Sequence, residues 1–273
     1  MDLLRAIVLG IVQGLTEFLP VSSSGHLILI PRLFNWPDQG QAFDVGLHVG
    51  TLLALLAYFW RDWYVMFSAG IRDLFSHGPR PSRWQRESRL LWTIAAGSVP
   101  AGIAGVILNT WFEDNVRQPW LIAITLTAAG VVMLVAERVG RRERSIEGIT
   151  LLDGILLGCA QAIALIPGVS RSGITISAGL FRGLDRDAAA RFAFLLGTPA
   201  FVGAAILKAP DLAGSSGQEW VNLGAGFVAS LVVGLAAITW LLRFIRTRSL
   251  LPFVYYRFGV AAITLIVAAV RVT

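Results

Sequence analysis

The stretch GIVQGLTEFLPVSSSG, residues 10–25, returns at a constant offset of 148 as GCAQAIALIPGVSRSG, residues 158–173. Gly10, Gln13, Val21, Ser22, Ser24 and Gly25 match Gly158, Gln161, Val169, Ser170, Ser172 and Gly173. The prolines, Pro20 and Pro167, differ by one place. Further along, Gly50-Thr51 recurs as Gly197-Thr198 at an offset of 147. The chain reads as a duplication, and its fold depends on how each copy sits in its surroundings.

Those surroundings are apolar. Of 273 residues, 55% are hydrophobic and 15% charged, against about 25% charged in a soluble domain. Mean hydropathy is +0.68. Apolar runs cover 44–60, 90–112, 119–136, 190–207, 221–242 and 250–270. Several approach the roughly 20 residues that cross a bilayer. No series of ten-residue segments alternates with period two, which argues against a transmembrane barrel. The expected class is an all-α polytopic membrane protein, one integral domain over residues 1–273. A pI near 10.4 would suit nucleic acid, but basic residues of membrane proteins collect in cytoplasmic loops. No aromatic-basic motif is present, so no nucleic-acid partner is expected. The single cysteine, Cys159, has no partner for a disulfide and is read as packing. The N-terminus shows no basic leader or A-x-A site, so the first apolar segment is expected to stay.

Arginine placement supplies the topology. Residues 61–89 carry six, 138–144 four, 182–191 three and 243–248 three. Linkers 110–119 and 208–220 carry one basic residue each, Arg117 and Lys208. The rich segments, including a loop at 61–89, are therefore expected in the cytoplasm. Trp60, Trp63, Trp111, Trp120 and Trp220 fall near span ends, where an aromatic belt belongs. Parity then requires 44–60 to run inward, and the last span to end outside. The segment 149–182 begins and ends on cytoplasmic flanks, so it enters and returns. If residues 1–35 do the same from outside, the two copies have opposite topology, as in inverted repeats. Arg5 and Arg32 run against that placement. Repeat one spans about 1–136 and repeat two about 149–270. The expected architecture has about six transmembrane helices and two re-entrant helix-break-helix segments.

Pro20 and Pro167-Gly168 make the breaks, because proline removes a backbone donor and clashes with the preceding turn. Ser22, Ser23 and Ser24 offer caps for a short helix near Gly25, and Ser170, Arg171 and Ser172 for one near Gly173. Irregular backbone at membrane depth is tolerated only inside protein or a wet cavity. Two helix N-termini aimed into one cavity favour an anion.

The side chains supply chemistry. Gln13 and Glu17, four apart, share a helix face and present oxygen atoms suited to a hard divalent ion. His26 moves protons near neutral pH. Arg171 offers a planar fork for phosphate oxygens. Ser22, Ser23, Ser24, Ser170 and Ser172 offer hydroxyls, one of which is a candidate nucleophile. Any one of these serines also serves as a helix cap, and Gln13 and Gln161 equally suit bonds between helices. Gly10, Gly14, Gly154 and Gly158 have small-xxx-small spacing and are read as packing positions. Glu17, His26 and Arg171 are the sharper signal, since an ionisable group inside a membrane costs at least about 2.5 kcal/mol. Asp44 and His48 are read as lining the cavity mouth or bonding a neighbouring helix. Tyr256 and Arg257 are read as snorkelling to the interface.

With these residues in place, QGLTEFLPVSSSGH (13–26) and PGVSRSG (167–173) resemble the two signature regions of the bacterial undecaprenyl-diphosphatase, or bacitracin-resistance, family. FDVGLHVGT (43–51), LLGTPA (195–200) and PFVYYRF (252–258) fit as well, so the resemblance covers the chain. It implies an inverted-repeat fold in the bacterial plasma membrane. It implies removal of the terminal phosphate of undecaprenyl diphosphate, the lipid carrier of peptidoglycan synthesis, with a divalent cation, Mg or Ca. It places Gln13 and Glu17 at the metal, and Glu17, Ser23, His26 and Arg171 in catalysis. Ser22, Ser24, Gly25, Ser170, Ser172 and Gly173 would bind the diphosphate. Gln13 stands where a second carboxylate would, which weakens a two-carboxylate metal site. The expected partners are a polyprenyl diphosphate and the bilayer, with a homodimer as the candidate assembly and the site facing outward. The alternative from the architecture is a secondary transporter or flippase for a lipid phosphate or other anion.

Overall fold

A computed structural model describes residues 2–37, 39–115, 118–210 and 217–272, with the side chains of 41, 109–115 and 270–272 excepted. The side chain of Trp111, all of Arg117, and residues 211–216 of the linker 208–220 lie outside what is described. Among the described residues eleven α-helices follow one another: α1 Leu3–Phe18, α2 Ser23–Leu33, α3 Gln41–Tyr58, α4 Trp60–His77, α5 Arg86–Asn115, α6 Pro119–Val139, α7 Leu151–Ile163, α8 Arg171–Phe181, α9 Arg186–Lys208, α10 Gly217–Thr247 and α11 Leu251–Val272.

Length separates spanning helices from broken ones. The described parts of α5, α6, α9, α10 and α11 are each long and apolar enough to cross a membrane, and the bent pair α3–α4 makes a sixth candidate. The five and α3 coincide with the apolar runs, whereas α4 extends beyond the run 44–60. By contrast α2 and α8 have 11 residues each. At 1.5 Å per residue each reaches about 16 Å, half of a 30 Å hydrocarbon core. They belong with α1 and α7 as the second arms of hairpins broken at Pro20 and at Pro167-Gly168.

With α3–α4 taken as one span, the helix order short, break, short, long, long, long runs twice. Packing repeats with it. Helix α1 lies on α10 and α3, while α7 lies on α5 and α9; α3 packs on α10 and α9 on α5. The partners α6–α11 and α3–α9 close the pattern across the middle. Small residues bring the axes together, as expected where packing rather than hydrophobicity drives association. A Cβ added at Gly14 would lie 2.9 Å from the Gly234 nitrogen and 2.9 Å from the Ser230 carbonyl oxygen. One added at Gly158 would run into the Gly97 carbonyl. Where the halves meet, the ring of Phe194 packs against those of Phe18 and Phe59.

Two expectations need correction. The segment 61–89 is not simply a loop: residues 60–77 form α4, bent 68° from α3. This helix is amphipathic. Met66, Ala69, Gly70 and Asp73 are buried, while Tyr64, Phe67, Ile71 and Phe75 are exposed, the make-up of a helix lying in an interface. The following turn is pinned by Asp73, which accepts from the Gln85 backbone N–H at 2.6 Å. Cys159, expected to pack, is exposed on α7.

The arginine-rich ends are organised around buried acids. Asp153 Oδ2 accepts from Arg144 at 2.6 Å, and its Oδ1 accepts from Arg182 at 2.7 Å. Glu137 pairs with Arg142 and Arg186. Each acid thus ties a loop between spans to a hairpin or to α9. Trp60, Trp120 and Trp220 are half-exposed at span ends.

Candidate active site

Both breaks have the same local geometry. Ser22 has φ 76° and ψ 97°, and Ser170 has φ 74° and ψ 115°. A left-handed φ is uncommon for a residue with a Cβ and clusters at ligand sites. Each serine caps its short helix: Ser22 Oγ accepts from the Gly25 N–H at 3.3 Å, and Ser170 Oγ from the Gly173 N–H at 3.2 Å. Each also meets the serine two residues on, Ser24 at 3.3 Å and Ser172 at 3.2 Å. Capping satisfies one backbone N–H and leaves others of the first turn free for an anion.

Arg257 holds the breaks together. Its side chain is fully buried and donates to the carbonyls of Pro20 at 3.3 Å, Gly168 at 2.9 Å, Val169 at 3.0 Å and Leu126 at 3.1 Å. The expectation that it snorkels is overturned. Carbonyls of both breaks and one of α6 gather around one guanidinium. A second link crosses from Ser172 Oγ to the carbonyls of Glu17 and Leu19, at 3.4 and 3.3 Å.

Glu17 is buried on α1. Its Oε2 accepts from Ser23 Oγ at 2.6 Å and from Gln13 Nε2 at 2.8 Å. Helical spacing delivers Gln13, and the break swings Ser23 back onto the same oxygen. Arg171, the first residue of α8, comes from the opposite repeat. Its Nη1 is buried without a hydrogen-bond partner. Its guanidinium lies 3.9 Å from the centroid of Phe201, and its charge is within electrostatic reach of Glu17. An unpaired guanidinium nitrogen in such a place is an open anion position.

His26 is buried, with Nδ1 donating to the Ser22 carbonyl at 2.7 Å and Nε2 meeting the Tyr256 hydroxyl at 2.8 Å. The two rings stack at 5.6 Å. Tyr256, half-exposed, thus orients His26. Both ring nitrogens are engaged, so His26 is linked to α11 and not to Ser23 Oγ or Glu17. Gln161, the counterpart of Gln13, donates to the Leu196 carbonyl at 3.4 Å and leaves Oε1 unpaired. Gly25 and Gly173 contribute capped N–H groups, and a Cβ at Gly173 would crowd Met133 and Ser170 at 3.2 Å.

Of the two readings for His48 on α3, the mouth of the cavity or a bond to a neighbouring helix, the structure shows the second, to Glu17 on α1. Its Nε2 lies 3.6 Å from Glu17 Oε2, while Nδ1 donates to the Asp44 carbonyl at 2.7 Å. The rule that intramembrane ionisable groups are functional by default is the signal that points to it. Thr51, one turn further, is buried at 3.5 Å from Gln13 Nε2.

For a divalent ion the donors are the Glu17 carboxylate and the amide oxygen of Gln13, which has no hydrogen-bond partner. Among the described residues no three His, Cys, Asp or Glu gather in one place. The set fits an ion shared with substrate phosphates, the usual situation for Mg²⁺, and not an all-protein cage. A separate cavity of about 820 Å³, lined by Leu29, Arg32, Trp36 and Trp120 among others, opens at the far end of α2 and contains none of these residues.

The fold and these contacts define a polytopic helical membrane protein in which two broken hairpins build one polar cradle inside the bundle. Residues 6–263 match the family described as bacitracin resistance protein BacA, and the chain belongs to that family. It is 46% identical over 273 residues to an undecaprenyl-diphosphatase of Moorella thermoacetica, covering 99% of this chain and 100% of the relative. It is 45% identical to one of a Nocardioides species over 99% and 98% of the two chains. With one of Geobacter sulfurreducens it shares 48% over 94% and 95%.

Proposed function

We propose that this protein is a phosphatase that removes the terminal phosphate of undecaprenyl diphosphate, yielding undecaprenyl phosphate and inorganic phosphate. The product is the lipid carrier of peptidoglycan synthesis, and its recycling would underlie bacitracin resistance. The observation that carries the reading is the 2.6 Å bond from Ser23 Oγ to the buried Glu17 carboxylate, joined from the other repeat by the unpaired Nη1 of Arg171. A hydroxyl beside a base, with a free cation within reach, is an arrangement for attack on phosphorus.

The polyprenyl chain stays in lipid between helices, and the diphosphate enters the cradle. Arg171 and the free N–H groups at the starts of α2 and α8 neutralise charge on the terminal phosphoryl group. Ser23 Oγ attacks its phosphorus while Glu17 takes the hydroxyl proton. Undecaprenyl phosphate leaves, and a phosphoserine remains. Water then attacks that phosphorus, regenerates Ser23 and releases inorganic phosphate. His26, held by Ser22 and Tyr256, fixes the first turn of α2 and with it the direction of Ser23. A Mg²⁺ or Ca²⁺ ion, held by Glu17 and Gln13, would supply Lewis-acid stabilisation of phosphate charge when bound.

The arginine distribution supports a plasma-membrane protein whose cradle opens to the outside. The test is phosphate release from a prenyl diphosphate by purified protein in detergent. Detergent solution has no two sides, so a transporter releases nothing there. Ser23→Ala is expected to lower release on the order of a thousandfold. Full activity in a folded Ser23→Ala protein rules out the serine nucleophile.

A further inference from the structure

Helix α4 presents three faces. Trp60, Tyr64, Phe67, Ile71 and Phe75 recur at helical spacing and form one stripe. Each is more than half exposed, Phe75 as much as 86%. Met66, Ala69, Gly70 and Asp73 form a second stripe, buried, where a Cβ at Gly70 would meet Leu91 of α5. Arg61 and Arg72 share a third face, eleven residues or about 16 Å apart, along one edge of the apolar stripe. Both are exposed, and the Arg61 guanidinium lies 5.2 Å from the centroid of Trp60. In the turn that follows, Arg80 and Arg83 are exposed as well, while Asp62 is the one exposed acid on the helix. Helix α3 has 18 residues and reaches about 27 Å, most of a 30 Å hydrocarbon core. Helix α4, bent 68° away from it, is not needed to finish that crossing. Single exposed apolar residues need no explanation, but a contiguous stripe marks a surface that something covers.

We propose that α4 is a docking surface for anionic phospholipid, with the apolar stripe sunk among acyl chains and Arg61 and Arg72 on lipid phosphates. Trp and Tyr suit the headgroup level, where an apolar ring meets a wet edge. Arginine beside such a stripe is what binds an amphipathic helix to an acidic leaflet. Charge complementarity decides between lipid and a second copy of the chain. An isologous contact through the stripe brings two arginine-edged faces together, whereas an anionic lipid covers the stripe and neutralises its edge. The assignment does not depend on the chemistry of the Glu17 cradle.

The test uses the full chain and two measurements. In the first, detergent-purified protein is equilibrated with equal amounts of phosphatidylglycerol and phosphatidylcholine, and the retained lipids are counted by native mass spectrometry. The natural protein is expected to retain phosphatidylglycerol, and Arg61→Gln/Arg72→Gln to lower that preference about tenfold or more. Arg243→Gln/Arg248→Gln, at the exposed end of α10, is expected to leave it within about twofold. No preference in the natural protein overturns the proposal without any variant having to fold. An equal loss in the α10 variant overturns it too, because the effect is then general charge. In the second measurement the single cysteine, Cys159, is removed and a nitroxide is attached at α4 in Cys159→Ser/Phe67→Cys. In liposomes of the two lipids, dissolved oxygen is expected to relax this label more than an aqueous nickel chelate does. The reverse order puts the stripe in water and overturns the proposal. Contact-range coupling between labels on two molecules seats a second copy there, and overturns it as well.

Discussion

Arg171 and Ser23 occupy equivalent places in the two repeats, first residue of α8 and first residue of α2. Equivalent positions thus carry a cation on one side and a nucleophile candidate on the other. The guanidinium has a flat face on Phe201 and an unpaired Nη1, so its shape matters as well as its charge. Arg171→Lys keeps the charge but loses the fork and the stacking. Its kcat/KM is expected to stay within about tenfold of Arg171→Ala, which itself falls about a thousandfold or more. Steady-state phosphate release on both variants checks this, and recovery to near-natural rates by lysine contradicts it. Glu17 and Arg171 are legible in the sequence because a charge in an apolar run is costly and is kept mainly where it does chemistry. The place of His48 beside Glu17 is not, because only the fold brings α3 against α1. Arg257 misleads for a similar reason: near a span end, a snorkelling arginine and a buried one look alike. Its four carbonyl partners come from α6 and the two breaks, none of them near it in sequence.

At the scale of elements, the six long spans can be read directly, since roughly 20 apolar residues leave little choice. The two breaks follow from Pro20 and Pro167-Gly168. Helix α4 escapes such a reading because its arginines lower the mean hydropathy, although Tyr64, Phe67, Ile71 and Phe75 mark an apolar face. The small-residue contacts are anticipated by spacing, and they can be tested. Gly158 abuts the Gly97 backbone, whereas a Cβ at Gly102 meets nothing within 4 Å. Gly158→Val is expected to destabilise the protein by about 3 kcal/mol through overpacking, seen as a lower Tm in detergent. Gly102→Ala should leave Tm unchanged or raise it.

For the whole molecule, the repeated packing pattern relates α1–α3 and α5–α6 to α7–α11. The element order alone does not say which side each hairpin faces, and labelling tests it. A reactive tag at the N-terminus should label in intact cells, while one in the turn after α4, near Arg80 and Arg83, should label only after permeabilisation. The reverse pattern inverts the topology and turns the cradle inward.

Arg257 adds a mechanical consequence. Alternating access requires one repeat to rock against the other about its binding site. Here a single guanidinium is bolted to carbonyls of both hairpins and of α6. Bonds to a charged donor are worth about 1.5–3 kcal/mol each, so such rocking must shear several of them at once. A motion that keeps these bonds leaves the two hairpins fixed to each other and to α6.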